Sequence, residues 1–197
     1  MIRRDFITLL GGAAAIWPLA ARAQQGNRVR RIGVLMPYDE SDPIAKARLS
    51  AFTQALADLG WTDGRIRIDL RWFGDNVNRI PALVQGLVGL QPDIIVASGI
   101  PATVAVQREV RTIPVVYVGA SDPVATGIVA RLNQPGGNIT GFATHEASLG
   151  GKWLQLLSEI APGLKGAAIM FNPDTAPASA YMPLLETAAC SPTESTG

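Results

Sequence analysis

From Arg31 onward, short apolar runs alternate with segments in which apolar residues recur every three or four positions, the pattern of alternating strands and helices that builds a parallel sheet. Arg31 to Met36 reads as a first buried strand. Asp42 followed by Pro43 suits a helix cap and first helical residue, and Ala45, Leu49, Phe52, Leu56 and Leu59 then repeat at helical spacing until Gly60 stops them. Arg65 to Trp72 alternates strictly, with Ile66, Ile68, Leu70 and Trp72 on one face and Arg65, Arg67, Asp69 and Arg71 on the other. A strand with one polar face belongs at an edge.

A second helix is expected from Asp75 to Asn78 onward, with Pro81 in its first turn and Ile80, Leu83, Val84 and Leu87 buried. Asp93 to Ser98 is continuously apolar and predicts a central strand; Gly99, Ile100 and Pro101 turn into a helix over Ala102 to Val110. Pro114 to Val118 predicts another central strand, followed by a short helix running to Arg131. The run Pro135, Gly136, Gly137, Asn138 is a turn, and Ile139 to Phe142 a last short strand. The first α/β lobe is therefore assigned to residues 24–142. Residues 143–189 are read as a hinge and the start of a second lobe: a helix burying Trp153, Leu156, Leu157 and Ile160, a strand from Gly166 to Phe171, and a helix from Ala178 to Ala189. Residues 190–197 leave the helical period and are expected to be a disordered tail.

The N-terminus follows a different pattern. Arg3 and Arg4 precede a nearly continuous apolar run from Phe6 to Ala21, and Ala21-Arg22-Ala23 places small residues where a signal peptidase reads them. Residues 1–23 are read as an export signal cleaved after Ala23, which places the product in the periplasm. Arg3, Arg4, Asp5, Phe6 and Ile7 resemble the twin-arginine pattern, so the twin-arginine or the Sec machinery is the expected export partner. The run is shorter than the roughly 20 residues of a transmembrane helix.

Composition narrows the chemistry. With 48% hydrophobic and 17% charged residues the chain is globular, and a net charge of +1 leaves no footprint for nucleic acid. One histidine (His145) and one cysteine (Cys190) cannot build a Cys-His pair or a histidine-rich metal site. No Gly-x-Ser-x-Gly elbow, Gly-x-Gly-x-x-Gly turn or Walker lysine loop occurs. Neither cofactor nor metal is expected, and the chain is read as a binding protein rather than an enzyme.

In open parallel sheets, ligands sit beyond the carboxyl ends of the strands, where loops enter helix N-termini. The loops at those ends hold Tyr38; Ser98, Gly99, Ala102 and Thr103; and Ser121 and Asp122. Ser98 and Gly99 suit an anion cradle, because glycine admits a carboxylate to the backbone while the Ser98 and Thr103 hydroxyls add donors. Tyr38 would form an apolar wall, and Asn172 occupies the equivalent loop of the second lobe. Helix capping and turn chemistry explain the same residue types, most fully at Ser121, Asp122 and Asn172.

The stretches Arg3 to Gly12, Ile94 to Ala102, Ile113 to Asn138 and Asn172 to Pro177 resemble the periplasmic substrate-binding proteins of ABC importers, a family that includes tryptophan and tyrosine binders. Most specific is Ile113-Pro-Val-Val-Tyr-Val-Gly-Ala-Ser-Asp-Pro-Val124, together with Leu132 to Gly141. The resemblance implies a type I periplasmic-binding-protein fold, two lobes that close on a small organic solute, and an ABC permease in the inner membrane as partner. It also implies ligand contacts from Tyr38, Ser98, Gly99, Ala102, Ser121 and Asp122. Family members continue well beyond the equivalent of Ala189, so the second lobe is expected to be only begun, by a frameshift or premature stop. Alternatives are a non-functional remnant of such a protein or an α/β enzyme.

Overall fold

The computed structural model describes residues 28–144, 149–172 and 181–190. The export-signal reading of residues 1–23, residues 145–148 of the hinge with His145, the start of the helix expected from Ala178, and residues 191–197 of the tail lie outside them. Five parallel strands form one sheet in the order β2-β1-β3-β4-β5: β1 Arg30–Met36, β2 Ile66–Trp72, β3 Ile94–Ser98, β4 Val115–Ala120 and β5 Ile139–Ala143. Helices α1 (Pro43–Asp58), α2 (Ile80–Gly89) and α3 (Ile100–Glu109) connect the first four strands.

The strand patterns locate the core. Ile32, Val34 and Met36 of β1 join Ile66, Ile68, Leu70 and Trp72 of β2 beneath Phe52 and Leu56 of α1. On the other face, Leu35, Ile95, Ala97, Val115 and Tyr117 meet Val84 and Leu87 of α2 and Ala102 and Val106 of α3. β2 is an edge strand, as its alternation requires, and β3 lies in the middle of the sheet, as its unbroken apolar run requires. The polar face of β2 is anchored where Asp69 forms an ion pair with Arg31 Nε of the adjacent strand at 2.7 Å. At the far side, β4 carries a register shift between Val118 and Ala120, and Gly141 of β5 lies so close that a side chain there would overlap the Tyr117 backbone.

The helix expected between Asp122 and Arg131 is instead a single turn. Ile128 and Val129 N–H groups both donate to the Pro123 carbonyl, and Gly127 at φ 72° ends the turn before a second can form. Gly166 to Phe171, expected as a strand, joins no ladder: the sheet ends at β5, and among the described residues no further strand of a second lobe lies beside it. Without a sheet above it, the apolar face of α4 (Leu149–Ile160) is open: Trp153 is 45% exposed and Ile160 80%, where the helical spacing predicts burial. α4 packs instead on α5 (Met182–Cys190), with Gly150 facing Leu185 and Gly151 facing Ala188. Cys190 closes α5 rather than opening a disordered tail.

Candidate functional site

The order β2-β1-β3-β4-β5 reverses direction between β1 and β3, since the chain leaves β1 for β2 on one side and resumes at β3 on the other. At such a switch point adjacent connections diverge to opposite faces and open a crevice at the carboxyl ends of the strands. α1 covers one face, α2 and α3 the other. Tyr38 follows β1 and Ser98 ends β3, so these two flank the crevice. The Gly99 N–H donates to the Val118 carbonyl at 2.9 Å and Ser98 is registered with Val118, which brings the end of β4, and with it the loop that follows Ala120, alongside Ser98 and Gly99.

Helix N-termini differ along this end of the sheet. At α1, Asp42 accepts from the Ile44 and Ala45 N–H groups at 2.7 and 3.2 Å, which satisfies donors that a ligand would need. α3 has no side-chain cap: its first residue follows Gly99, whose φ of 82° and ψ of 167° lie in a region open essentially to glycine alone. Ser98 is half-buried beside it. An uncapped helix start next to a glycine and a hydroxyl suits an anionic group.

Thr103 is fully buried and its hydroxyl donates to the Gly99 carbonyl at 2.7 Å. It shapes the Gly99 turn from beneath instead of offering a donor to the crevice, because a threonine in the first helical turn readily bonds back to a carbonyl four residues earlier. Ala102 is fully buried as well, a member of the core cluster with Ile95, Ala97 and Val106, and its side chain is closed off from the crevice. Ser121 is half-buried, with its Oγ 3.3 Å from Thr144 Oγ1, tying the loop after β4 to the end of β5. Asp122 adopts a positive φ of 40° and accepts the Ala125 N–H at 2.9 Å, the capping role its sequence context allows. Asn172 is exposed and lies beyond α4, outside the sheet that brings the other residues together.

Arg48, which the sequence alone did not single out, joins Tyr38. It donates from Nη1 to the phenolic oxygen, and its guanidinium carbon stands 5.2 Å from the ring centroid. A ten-residue separation across a loop and a helix carries no periodic signal; only the fold brings the pair together.

Residues 32–191 match the family described as ABC transporter substrate binding protein. The chain belongs to that family. A tyrosine-binding protein of Clostridioides difficile (strain R20291) is 28% identical over 134 residues, covering 68% of this chain and 38% of that protein. Among solved structures, a conserved domain protein from Vibrio cholerae superposes with a TM-score of 0.72 at 26% identity, covering 82% of this chain and 54% of that one. An ABC domain from Streptococcus pneumonia in complex with L-Trp gives a TM-score of 0.71 at 22% identity with the same coverages, 82% and 54%. The chain thus spans about half the length of these two solved structures. The likeness confirms the α/β, periplasmic-binding-protein-like fold.

Proposed function

We propose that this chain contributes the first lobe of a solute-binding site for a small organic carboxylate, an amino acid or an aromatic acid. The observation that carries the reading is the uncapped start of α3 at Gly99, set at the switch point between β1 and β3 with Ser98 beside it. Tyr38 would flank the organic body, Ser98 and the α3 N-terminus the carboxylate, and Ser121 with Asp122 the far side. Family membership supports a binding role without covalent chemistry, and the tyrosine and L-Trp in the names of its relatives support the ligand class.

The wider proposal is an uptake system. Lobes would close on the solute about a hinge in residues 143–148, and the closed form would meet an ABC permease. Export by the twin-arginine or Sec route, guided by residues 1–23, would deliver the protein to the periplasm. Thermal-shift screening against amino acids and aromatic acids tests the binding proposal. A ligand-dependent rise in Tm that disappears in Ser98→Trp is expected; a chain that responds to no amino acid or aromatic acid contradicts it.

A further inference from the structure

Tyr38 and Arg48 form a pair at the crevice end of the sheet whose chemistry is one-sided. Tyr38 is half-buried against the cluster of Ile32, Val34 and Met36, and its carbonyl accepts the Gly74 N–H at 3.3 Å, so its position is set from two directions. Arg48, one and a half turns into α1, is exposed and lies against the ring. Among the described residues no carboxylate stands within ion-pair distance of it.

The hydrogen bond fixes what the pair can offer. Because Arg48 Nη1 donates to the phenolic oxygen, the tyrosine's own hydrogen must point away from the guanidinium. Four of the five guanidinium N–H groups remain, again as donors. The surface therefore presents N–H and O–H donors, a full positive charge, and no acceptor from either side chain beyond the remaining lone pair of the phenol. Such a set matches a carboxylate, which accepts on two oxygens, and rejects the corresponding amide, whose NH2 group would face donors. Contact with the aromatic ring also holds the long side chain in place, which reduces the entropy lost when an anion binds.

We infer that Arg48, held by Tyr38, is a carboxylate-selecting residue of this lobe. The inference deepens the solute-binding reading, on which it rests for its ligand class, and adds a positive charge to the neutral donors, Ser98 and the start of α3, assigned to the carboxylate. Arg48 would distinguish acids from amides, whereas Ser98 and Gly99 would contact either through backbone and hydroxyl groups.

Two measurements on the full chain test it. The side-chain Nε resonance of Arg48, identified by its loss in Arg48→Gln, is followed by NMR during titration with sodium benzoate, with benzamide and sodium chloride at matched concentration as controls. A saturating shift with benzoate alone is expected; equal responses to benzoate and chloride, or no response, overturn the inference. Calorimetry then compares L-tyrosine with L-tyrosinamide. Arg48→Gln should reduce the preference for the acid by about tenfold, the scale of one charge-assisted hydrogen bond. If the wild type binds tyrosine and the variant keeps the same acid-to-amide ratio, Arg48 is not the selector and the solute-binding reading stands. If no amino acid binds but benzoate still shifts the Arg48 resonance, the anion site stands and the solute-binding reading fails.

Discussion

At the scale of single residues, Gly99 couples backbone conformation to the proposed site. Its φ of 82° with ψ of 167° is accessible to glycine and strained for any residue with a Cβ. Gly99→Ala is therefore expected to cost about 1–3 kcal/mol in chemical denaturation, a penalty drawn from the backbone because no neighbour crowds the position closely. Asp93 makes a different kind of contribution. It accepts the Arg31 N–H at 2.8 Å and the Arg30 guanidinium at 3.0 Å, and these bonds, with the charges of Arg28 and Arg30, hold its carboxyl below its ordinary value of 3.8 despite partial desolvation. A depressed carboxyl stabilises the fold above its unfolded pKa, and that stability is lost as pH falls through the lower folded value. Asp93→Asn should lower Tm at pH 7 and weaken the dependence of Tm on pH below about 4, where the wild type loses the same interaction. An unchanged acid limb in the variant would assign that limb to other carboxylates.

At the scale of elements, how much was legible depended on whether the signal was local. The cap of α1 could be read from Asp42 and Pro43, and Asp42→Ala should cost about 1 kcal/mol by equilibrium unfolding, since it strands the Ile44 and Ala45 N–H groups. The edge position of β2 and the central position of β3 followed from alternation against continuity. The position of Tyr38, Ser98 and Gly99 at the carboxyl ends of β1 and β3 is legible because each follows directly on the apolar run of its strand. Other readings failed where the outcome rests on a backbone conformation, a rotamer or a distant partner that the local pattern does not specify. Pro123 to Arg131 has a helix's opening but Gly127 takes a left-handed conformation and ends it. Gly166 to Phe171 has strand composition without a strand to pair with, and the burial expected of Trp153, Leu156, Leu157 and Ile160 required a sheet above α4. The Thr103 hydroxyl looked available by position, and its bond to Gly99 O depends on a rotamer that sequence does not specify.

At the scale of the whole molecule, two regions differ in how they are held. β1, β3 and β4 share ladders on both edges and bury at least one face in the core, whereas α4 and α5 pack chiefly on each other. Native-state hydrogen exchange should show the slowest amides in β1 and β3 and markedly faster exchange in α4 and α5, because opening the helical pair leaves the sheet intact. Equal protection across both would mean that they unfold as one unit. The central claim concerns the crevice at the carboxyl ends of β1 and β3, and isothermal titration of the full chain with L-tyrosine and L-tryptophan, in the wild type and in Ser98→Trp, tests it most directly. Saturable one-site binding of at least one of these amino acids, abolished by Ser98→Trp while the sheet remains folded by circular dichroism, is expected; binding of equal strength in both proteins, or in neither, would contradict the assignment.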